Sequence, residues 1–264
     1  MTDEQSVDLT PDEVKNKFYA DREDTGERAS QGDTDRVRVV EEVFARNDFD
    51  RILDTRCGDG SYTLELAEAC GATDLYGFEL YDNKLERANE NGVHATRLDL
   101  NNARFPFEDD FFDAVCAVDI IEHLFDPDHF LEEVRRTLRP GGTFVVATPN
   151  LASIHNRLAL VLGYQPFTTN QSRRYPIGHL FENHGLVSDE TPPSSHHFRP
   201  YTLGSLRELL ALYGFDVDEV VGASAVLPEG MTLYPVFERL ERAVSRFPSL
   251  SYEVVLTATP GGSV

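Results

Sequence analysis

The sequence predicts an α/β protein in which a mostly parallel β-sheet carries helices on both faces. Two observations indicate this class. Short apolar runs alternate with segments of helical periodicity, which is the pattern of repeated βαβ units. Three of the runs end in an acid, and these acids, Glu79, Asp99 and Asp119, lie at intervals of 20 residues. A regular strand–helix–strand spacing of this kind is typical of a parallel sheet.

The first strand and the turn after it predict a ligand site. Residues 51–54 run into a turn that contains Gly58 and Gly60, and residues 61–67 continue at helical spacing. A Cβ atom at either glycine would block close approach of the backbone to a ligand. Open α/β sheets bind ligands at the carboxyl ends of their strands. Glu79, which is 19 residues beyond Gly60, is then placed to hold a ribose diol.

The other elements follow in order along the chain. Further strands are predicted at 75–79, 94–99, 112–119, 143–148, 215–221 and 251–257, and helices at 151–163, 203–212 and 234–247. The helix at 151–163 has an apolar stripe, which we expect to face the core: Leu151, Ile154, Leu158, Val161 and Leu162. The loop at 164–200 is too long to be a passive connection in a compact domain, and its aromatic residues argue against simple disorder.

Six segments resemble, in order, the motifs of one known family. They read Leu-Asp-Thr-Arg-Cys-Gly-Asp-Gly at 53–60, Gly-Phe-Glu at 77–79, Asp-Leu at 99–100, Phe-Pro-Phe-Glu-Asp-Asp-Phe-Phe-Asp at 105–113, Ile-Glu-His at 121–123 and Leu-Arg-Pro-Gly-Gly at 138–142. The chain resembles the class I S-adenosylmethionine-dependent methyltransferases, particularly those of ubiquinone and menaquinone biosynthesis. This resemblance implies a Rossmann-like, seven-stranded sheet with an antiparallel last strand. The match is good over about residues 35–150.

The resemblance also implies which residues bind S-adenosyl-L-methionine. Asp54 and the glycine turn would hold the methionine part, Glu79 the ribose hydroxyls, and Asp99 with Leu100 the adenine. The full set implied is Asp54, Cys57, Gly58, Gly60, Glu79, Asp99, Leu100 and Asp119. A sulfonium cation and a diol suit a cleft rimmed by carboxylates, whereas a pyrophosphate does not. The dinucleotide alternative is therefore disfavoured, and the turn also lacks the third glycine of G-x-G-x-x-G.

Arg56 departs from the family pattern, which has a glycine at this position. One interpretation is that the side chain points outward and the turn tolerates it. The other is that a second cation weakens cofactor binding, which would make the chain a non-catalytic relative. The sequence leaves both open.

Catalytic candidates occur in two places. Glu122 and His123 follow Asp119 at spacing i+3 and i+4, so all three can converge at the end of the fourth strand. The ubiquinone-type resemblance implies a divalent metal there, but local pairing of Glu122 and a buried His123 explains the same residues, and we expect no metal. The long loop adds His179 and His196 as candidates for a general base or for substrate contacts.

The composition predicts the kind of host, partner and cellular compartment. The chain has 46 acidic and 24 basic residues and a net charge of −22, with acids spread through the predicted elements, which favours a halophilic archaeal host. The absence of a basic stripe disfavours nucleic acid as a partner. No apolar run is long enough for a membrane span, and the three cysteines have no metal-type spacing, so we expect a cytoplasmic protein.

We expect two parts, a polar, partly mobile segment at 1–33 and a methyltransferase domain at 34–264, in which 151–200 forms a lid over the acceptor. The stretch from 148 to 167 resembles methyltransferases of archaeal surface-glycan gene clusters, which implies O-methylation of a sugar or uronic acid in a surface glycan or its lipid-linked precursor. Peripheral contact with a lipid-linked substrate follows from that. A quinone-type O-methyltransferase and a non-catalytic scaffold remain as alternatives.

Overall fold

The computed structural model describes residues 35–169, 171, 177–179, 197–224 and 234–261, with side chains at 234–238 left out. Seven strands of the described part form one sheet in the order β3-β2-β1-β4-β5-β7-β6. They are β1 (Arg51–Asp54), β2 (Asp74–Phe78), β3 (His94–Thr96), β4 (Phe112–Val118), β5 (Leu138–Pro149), β6 (Phe215–Ala223) and β7 (Glu253–Pro260). Strands β1 to β5 pair in parallel, whereas β7 is antiparallel to both β5 and β6. The predicted sheet is confirmed.

Helices cover both faces of this sheet. They are α1 (Asp35–Ala45), α2 (Ser61–Cys70), α3 (Asp82–Glu90), α4 (Pro127–Thr137), α5 (Ile154–Val161), α6 (Leu203–Leu212) and α7 (Tyr234–Ser245). Adjacent residues of β1 point to opposite faces, as strand geometry requires. Ile52 packs in a core with residues of α1 and α2, and Leu53 packs in a second core with residues of α4 and α6.

Close packing beneath the first turn explains two glycines, one in the turn itself and one in β2. Gly60 has a φ of 85°, and a Cβ atom there would lie 3.0 Å from Val93 and 3.2 Å from the backbone of Ala88. A Cβ atom at Gly77 in β2 would lie 2.5 Å from the sulfur of Cys57. The expectation that a Cβ at Gly60 would meet a ligand is therefore replaced by a packing reason, the approach of α3.

The predicted helix at 151–163 is shorter than expected. It runs from Ile154 to Val161, and the hydroxyl of Ser153 accepts a hydrogen bond from the amide of Asn156 at its start. The prediction that its apolar stripe faces the core is wrong. Leu158, Val161 and Leu162 are exposed.

A polar network explains which face of α5 is buried. Asn156 is fully buried, and its side-chain amide donates to the carbonyl of Asn150 and to the hydroxyl of Thr168, while its side-chain oxygen accepts from the amide of Phe167. A buried amide loses free energy if it is unpaired, so these partners hold this side of the helix inward. Helical spacing alone identifies the apolar face but not what it faces.

Strand ends also differ in detail from the prediction. β3 ends at Thr96, so Asp99 lies in the loop beyond it, whereas Glu79 and Asp119 directly follow β2 and β4. None of the helices in the described ranges is long and apolar enough to cross a bilayer. The predicted segment at 1–33 lies outside the described residues.

Candidate functional site

The turn after β1 is fixed by Asp54. This carboxylate is buried, and its two oxygens accept hydrogen bonds from the amide of Arg56 (3.0 Å) and the hydroxyl of Thr63 (3.0 Å). Asp54 therefore joins the turn to α2. The amide of Cys57 donates to the carbonyl of Phe78 (3.0 Å), which ties the turn to β2 as well.

The middle of the turn is the part open to a ligand. Gly58 has a φ of 59°, and a Cβ atom there would meet no atom within 4 Å. The positive φ favours glycine, and the backbone at this point borders open space. Cys57 is buried beside it and contributes its backbone rather than an exposed thiol.

Glu79 directly follows β2 and is held in place by its own backbone. Its Oε1 accepts from the amides of Leu80 (2.6 Å) and Tyr81 (3.0 Å). Within the described residues, Oε2 makes no hydrogen bond. A fixed carboxylate with one oxygen available suits a diol that donates two hydrogen bonds.

Asp99 and Leu100 lie in the loop after β3. Asp99 accepts from both the backbone amide and the side-chain amide of Asn101, and Leu100 is buried. The side-chain oxygen of Asn101 accepts in turn from the amide of Phe125 (2.6 Å). This loop is thereby joined to the segment that follows β4.

Asp119 is tied to a helix that lies far away in sequence. Both of its oxygens contact the guanidinium of Arg36 on α1, at 3.0 and 2.9 Å, and the same guanidinium contacts Glu253 at 2.6 Å. Asp119 also has a φ of 51°, which is uncommon for a residue with a side chain. The carboxylate expected to face the methionine moiety is therefore paired within the protein.

Arg56 does not simply point outward. Its guanidinium donates to the carbonyl of Asp119 at 3.4 Å, and the residue is only partly exposed. The outward interpretation is thus wrong in geometry. Two arginines, Arg36 and Arg56, converge on Asp119 from opposite sides of the loop.

Glu122, His123 and His197 form a cluster beside Asp119. Glu122 and His123 lie in a short 3₁₀ turn after β4, and His197 comes from the end of the long loop. The Nε2 atoms of His123 and His197 lie 4.0 and 3.9 Å from Oε1 of Glu122, and the two rings are 4.9 Å apart. Glu122 is 1% exposed, and neither of its oxygens has a hydrogen-bond partner.

The backbone of the long loop holds this cluster together. The amides of Phe198 and Arg199 both donate to the carbonyl of Glu122, at 2.9 and 3.0 Å. The guanidinium of Arg199 donates to the carbonyl of Phe125 (2.7 Å). His197 is consequently held in position through its neighbours.

The other predicted histidines do not join the cluster. His179 is buried and contacts the carbonyl of Thr169 through Nε2 at 2.9 Å, so it has a place inside the loop itself. His196 lies outside the described residues.

Burial changes the protonation of the acids at this edge. Removal from water, together with the negative charge of Asp119, raises the pKa of Glu122 to about 8. Burial likewise raises the pKa of Glu253 to about 7, against the opposing effect of Arg36. The fold therefore favours the neutral form of Glu122 at and below neutral pH.

The cluster also has the donor set of a metal site. Ligand atoms of Glu122, His123 and His197 all lie within 4.8 Å of one another. One carboxylate and two imidazoles suit Zn²⁺ or a similar ion, and the unpartnered oxygens of Glu122 fit that use. The expectation of no metal stays a prediction.

Sequence reasoning missed two residues of this region. Arg36 shares a helix face with Val40 and Val43, and an arginine on an apolar face is a signal for a buried ion pair. His197 was noticeable only as one of several histidines in the loop. Nothing in the sequence indicated which of them reaches Glu122.

Comparison with known proteins identifies the family. Residues 28–220 match the family described as "Methyltransferase domain". The chain therefore belongs to this family, the class I S-adenosylmethionine-dependent methyltransferases, whose cofactor is S-adenosyl-L-methionine.

Two related proteins are similar to this chain over part of their own length. Methyltransferase GfsG of Streptomyces halstedii is 31% identical over 179 residues, which are 60% of this chain and 63% of that protein. The 27-O-demethylrifamycin SV methyltransferase of Amycolatopsis mediterranei is 30% identical over 131 residues, or 47% of each chain. The match spans less than two thirds of either relative.

A solved structure shows the same fold. The methyltransferase in complex with the Haloferax volcanii Trm112 methyltransferase activator superposes with a TM-score of 0.57. The superposition covers 86% of this chain and 92% of that chain, at 17% identity.

We predict that Glu122 makes the protein less stable as the pH rises. Its pKa is about 8 in the fold and 4.5 ordinarily, so the stabilising neutral form is lost as the pH rises toward about 8. In the Glu122→Gln variant the side chain has nearly the shape of protonated glutamate and is uncharged at every pH. Its melting temperature relative to the parent protein should therefore rise between about pH 5 and about pH 9.

The measurement is a thermal melt of both proteins across that range, with a chelator present to exclude metal effects. Glu90→Gln, an exposed acid on α3, serves as the control and should show a constant difference. A constant difference for Glu122→Gln as well would contradict the raised pKa.

Proposed function

We propose that the chain transfers a methyl group from S-adenosyl-L-methionine to a hydroxyl oxygen of a sugar or uronic acid, in a surface glycan or its lipid-linked precursor. The cluster of Glu122, His123 and His197 is the observation that carries the choice of a hydroxyl acceptor. A hydroxyl must lose a proton during transfer, whereas a carboxylate acceptor needs no base. A relative that is named for 27-O-demethylrifamycin SV supports an oxygen acceptor in the same family.

The residues after β1 and β2 fit the cofactor. The open backbone at Gly58 is suited to the methionine part, the Oε2 atom of Glu79 to the ribose, and the loop with Asp99 and Leu100 to the adenine. When bound, the cofactor supplies a methyl group on a positively charged sulfur that is already reactive. Asp54 would shape the turn rather than touch the ligand, because both of its oxygens are engaged.

The protein's contribution to the reaction is to position the acceptor and remove one proton. The site would have to hold a hydroxyl oxygen of the acceptor in line with the methyl group of the bound cofactor. His123 or His197 accepts the hydroxyl proton at Nε2. Oε1 of Glu122, 3.9 to 4.0 Å away, would accept a hydrogen bond from the protonated imidazole after a small closing movement.

The proposed lid, residues 151–200, would supply the acceptor contacts. His197 and the backbone donors of Phe198 and Arg199 already bring one end of this segment to the cluster. Arg173 and Arg174, which lie outside the described residues, are candidates from the sequence for contacts with an anionic sugar. Arg199 is a weaker candidate, because its guanidinium contacts the carbonyl of Phe125.

A metal-assisted reaction is the second candidate, and the same three side chains favour it. A bound cation would lower the pKa of the acceptor hydroxyl in place of a protein base. The two candidates differ in their response to chelation.

We expect labelled methyl transfer to hexuronic-acid oligosaccharides when the protein is offered these, neutral sugars and simple quinols. Transfer only to quinols would favour the quinone-type alternative. With the accepted substrate, at least one of His123→Gln and His197→Gln should lower kcat by about 10²-fold or more, because one of these histidines is the proposed base and a general base contributes this much. The affinity of both variants for S-adenosyl-L-methionine should stay within a few-fold of that of the parent protein.

The control for these variants is His94→Gln, an exposed histidine of β3, which should keep full activity. If activity is lost with a chelator and restored by Zn²⁺, the metal-assisted reaction is favoured over the histidine base. If kcat is unchanged in both variants, the cluster has no role in the mechanism. If either variant loses cofactor binding, the proposed separation between acceptor residues and cofactor residues is wrong.

We predict that Glu79→Ala lowers the affinity for S-adenosyl-L-methionine at least tenfold, as measured by calorimetry. Two hydrogen bonds to an ionised acceptor are worth about 1.5–3 kcal/mol each, and the variant loses both. Glu90→Ala is the matched control on an exposed site. Unchanged binding in Glu79→Ala would refute the assignment.

Arg56→Gly tests the non-catalytic alternative in the same assay. If the parent protein binds the cofactor and Arg56→Gly stays within a few-fold of it, the arginine is tolerated. No binding by the parent protein, with binding gained in Arg56→Gly, would favour the scaffold.

We also propose that the protein works in the salt-rich cytoplasm of a halophilic archaeon. The support is the excess of 46 acidic over 24 basic residues. Salt screens repulsion between these charges, so the melting temperature should rise between about 0.15 and about 2 M KCl. Sucrose at matched osmolality is the control for general exclusion effects. A flat or falling melting temperature in KCl would contradict the proposal.

A further inference from the structure

The outer face of α5 and of the residues after it is apolar and uncovered. Leu158, Leu160, Val161 and Leu162 are between 53% and 83% exposed. Leu158, Val161 and Leu162 lie opposite the buried Asn156 described above, so the polar network that holds this helix to the protein directs this apolar side to the solvent. An exposed apolar patch of this kind marks a site of association.

The neighbouring α7 continues this surface with a regular pattern. Leu240 and Phe247 are 55% and 61% exposed, and they are seven residues apart. Arg239, Arg242 and Arg246 are also exposed and follow the same spacing of three and four. α7 ends at Ser245, so Arg246 and Phe247 carry this pattern into the turn that follows the helix. Apolar side chains beside arginines are typical of segments that lie in a membrane interface.

The two helices are in direct contact. Nε2 of His155 lies 2.6 Å from Oε1 of Glu241, and the amide of Ile154 donates to the carbonyl of Leu250 (2.9 Å). The guanidinium of Arg157 reaches the carbonyl of Ser249 (3.4 Å). The exposed residues of α5 and of 239–247 are therefore neighbours, and we call them together the apolar–basic surface.

The charge of this surface is opposite to that of the chain. Acids make up 46 of the 264 residues, yet residues 134–181 contain none. Within 239–250 the only acid is Glu241, which is buried and paired with His155. Exposed arginines thus lie beside exposed apolar side chains. The acids of α7 are Glu238, next to Arg239 in the sequence, and Glu241, which is paired with His155.

We propose that the apolar–basic surface docks on an anionic lipid membrane. The apolar side chains would enter the acyl boundary, and the arginines would contact lipid phosphates. The remaining negative charge of the protein opposes this only weakly, because charges beyond about 8 Å are screened at about 0.15 M salt, and charges beyond about 3 Å at about 1 M. The surface uses none of the residues assigned to the cofactor or the base cluster, although α5 belongs to the segment proposed as the lid.

The test is co-sedimentation of the full chain with vesicles. Vesicles of phosphatidylglycerol and phosphatidylcholine should bind the protein, and vesicles of phosphatidylcholine alone should bind it at least tenfold more weakly. The triple variant Val161→Ser, Leu162→Ser and Phe247→Ser should lose at least tenfold in affinity. These side chains are exposed, so the variant should keep the melting temperature of the parent protein.

A matched control lies on α6, where Arg207 and Leu212 are exposed outside this surface. The variant Arg207→Ser with Leu212→Ser should bind vesicles as the parent does. At about 1 M KCl the preference for anionic vesicles should shrink, because screening weakens the arginine contacts.

Three outcomes would overturn the proposal. They are no binding to anionic vesicles, equal binding by the triple variant, and equal loss in the control variant. A dimer that dissociates in the triple variant, detected by sedimentation velocity without vesicle binding, would make a second copy of the chain the occupant instead.

Discussion

The buried guanidinium of Arg36 is the contact on which the carboxyl edge of the sheet depends. The negative charge of Asp119 disfavours ionisation of both Glu122 and Glu253, in a region removed from water. Arg36 contacts two of the three at 2.6 to 3.0 Å. Removing one partner of a buried ion pair costs about 3–5 kcal/mol, because the other charge is left uncompensated. The edge therefore keeps its shape only while α1 is docked.

The two sides of the candidate site are held in place in different ways, one by local contacts and the other by contacts between distant segments. On the cofactor side, Glu79 and Asp99 accept hydrogen bonds from amides one or two residues away, so short loops determine their positions. On the acceptor side, Glu122 meets a histidine 75 residues later and Asp119 meets an arginine 83 residues earlier. The acceptor side is thus assembled by the tertiary fold, and changes in distant segments would alter it first.

The same division explains what the sequence could and could not predict. The β-sheet, the glycine turn and the acids at strand ends follow from local patterns, and the strands appear where apolar runs predicted them. The pairing of Arg36 with Glu253 joins residues 217 apart, and no periodicity encodes it. The stripe of α5 was assigned to the wrong environment for a related reason. A helix with one apolar side and one buried asparagine has two sides that can face inward, and only the hydrogen-bond partners of Asn156 decide between them.

The close approach of Gly77 to Cys57 has a consequence for the chemistry of the thiol. The sulfur is enclosed between β2 and the first turn, so no reagent can attack it along the direction needed for substitution while those two segments remain in contact. Alkylation at Cys57 must pass through a state in which the turn has separated from the strand. Its rate therefore measures how often the turn opens, and the protein carries its own probe of that motion.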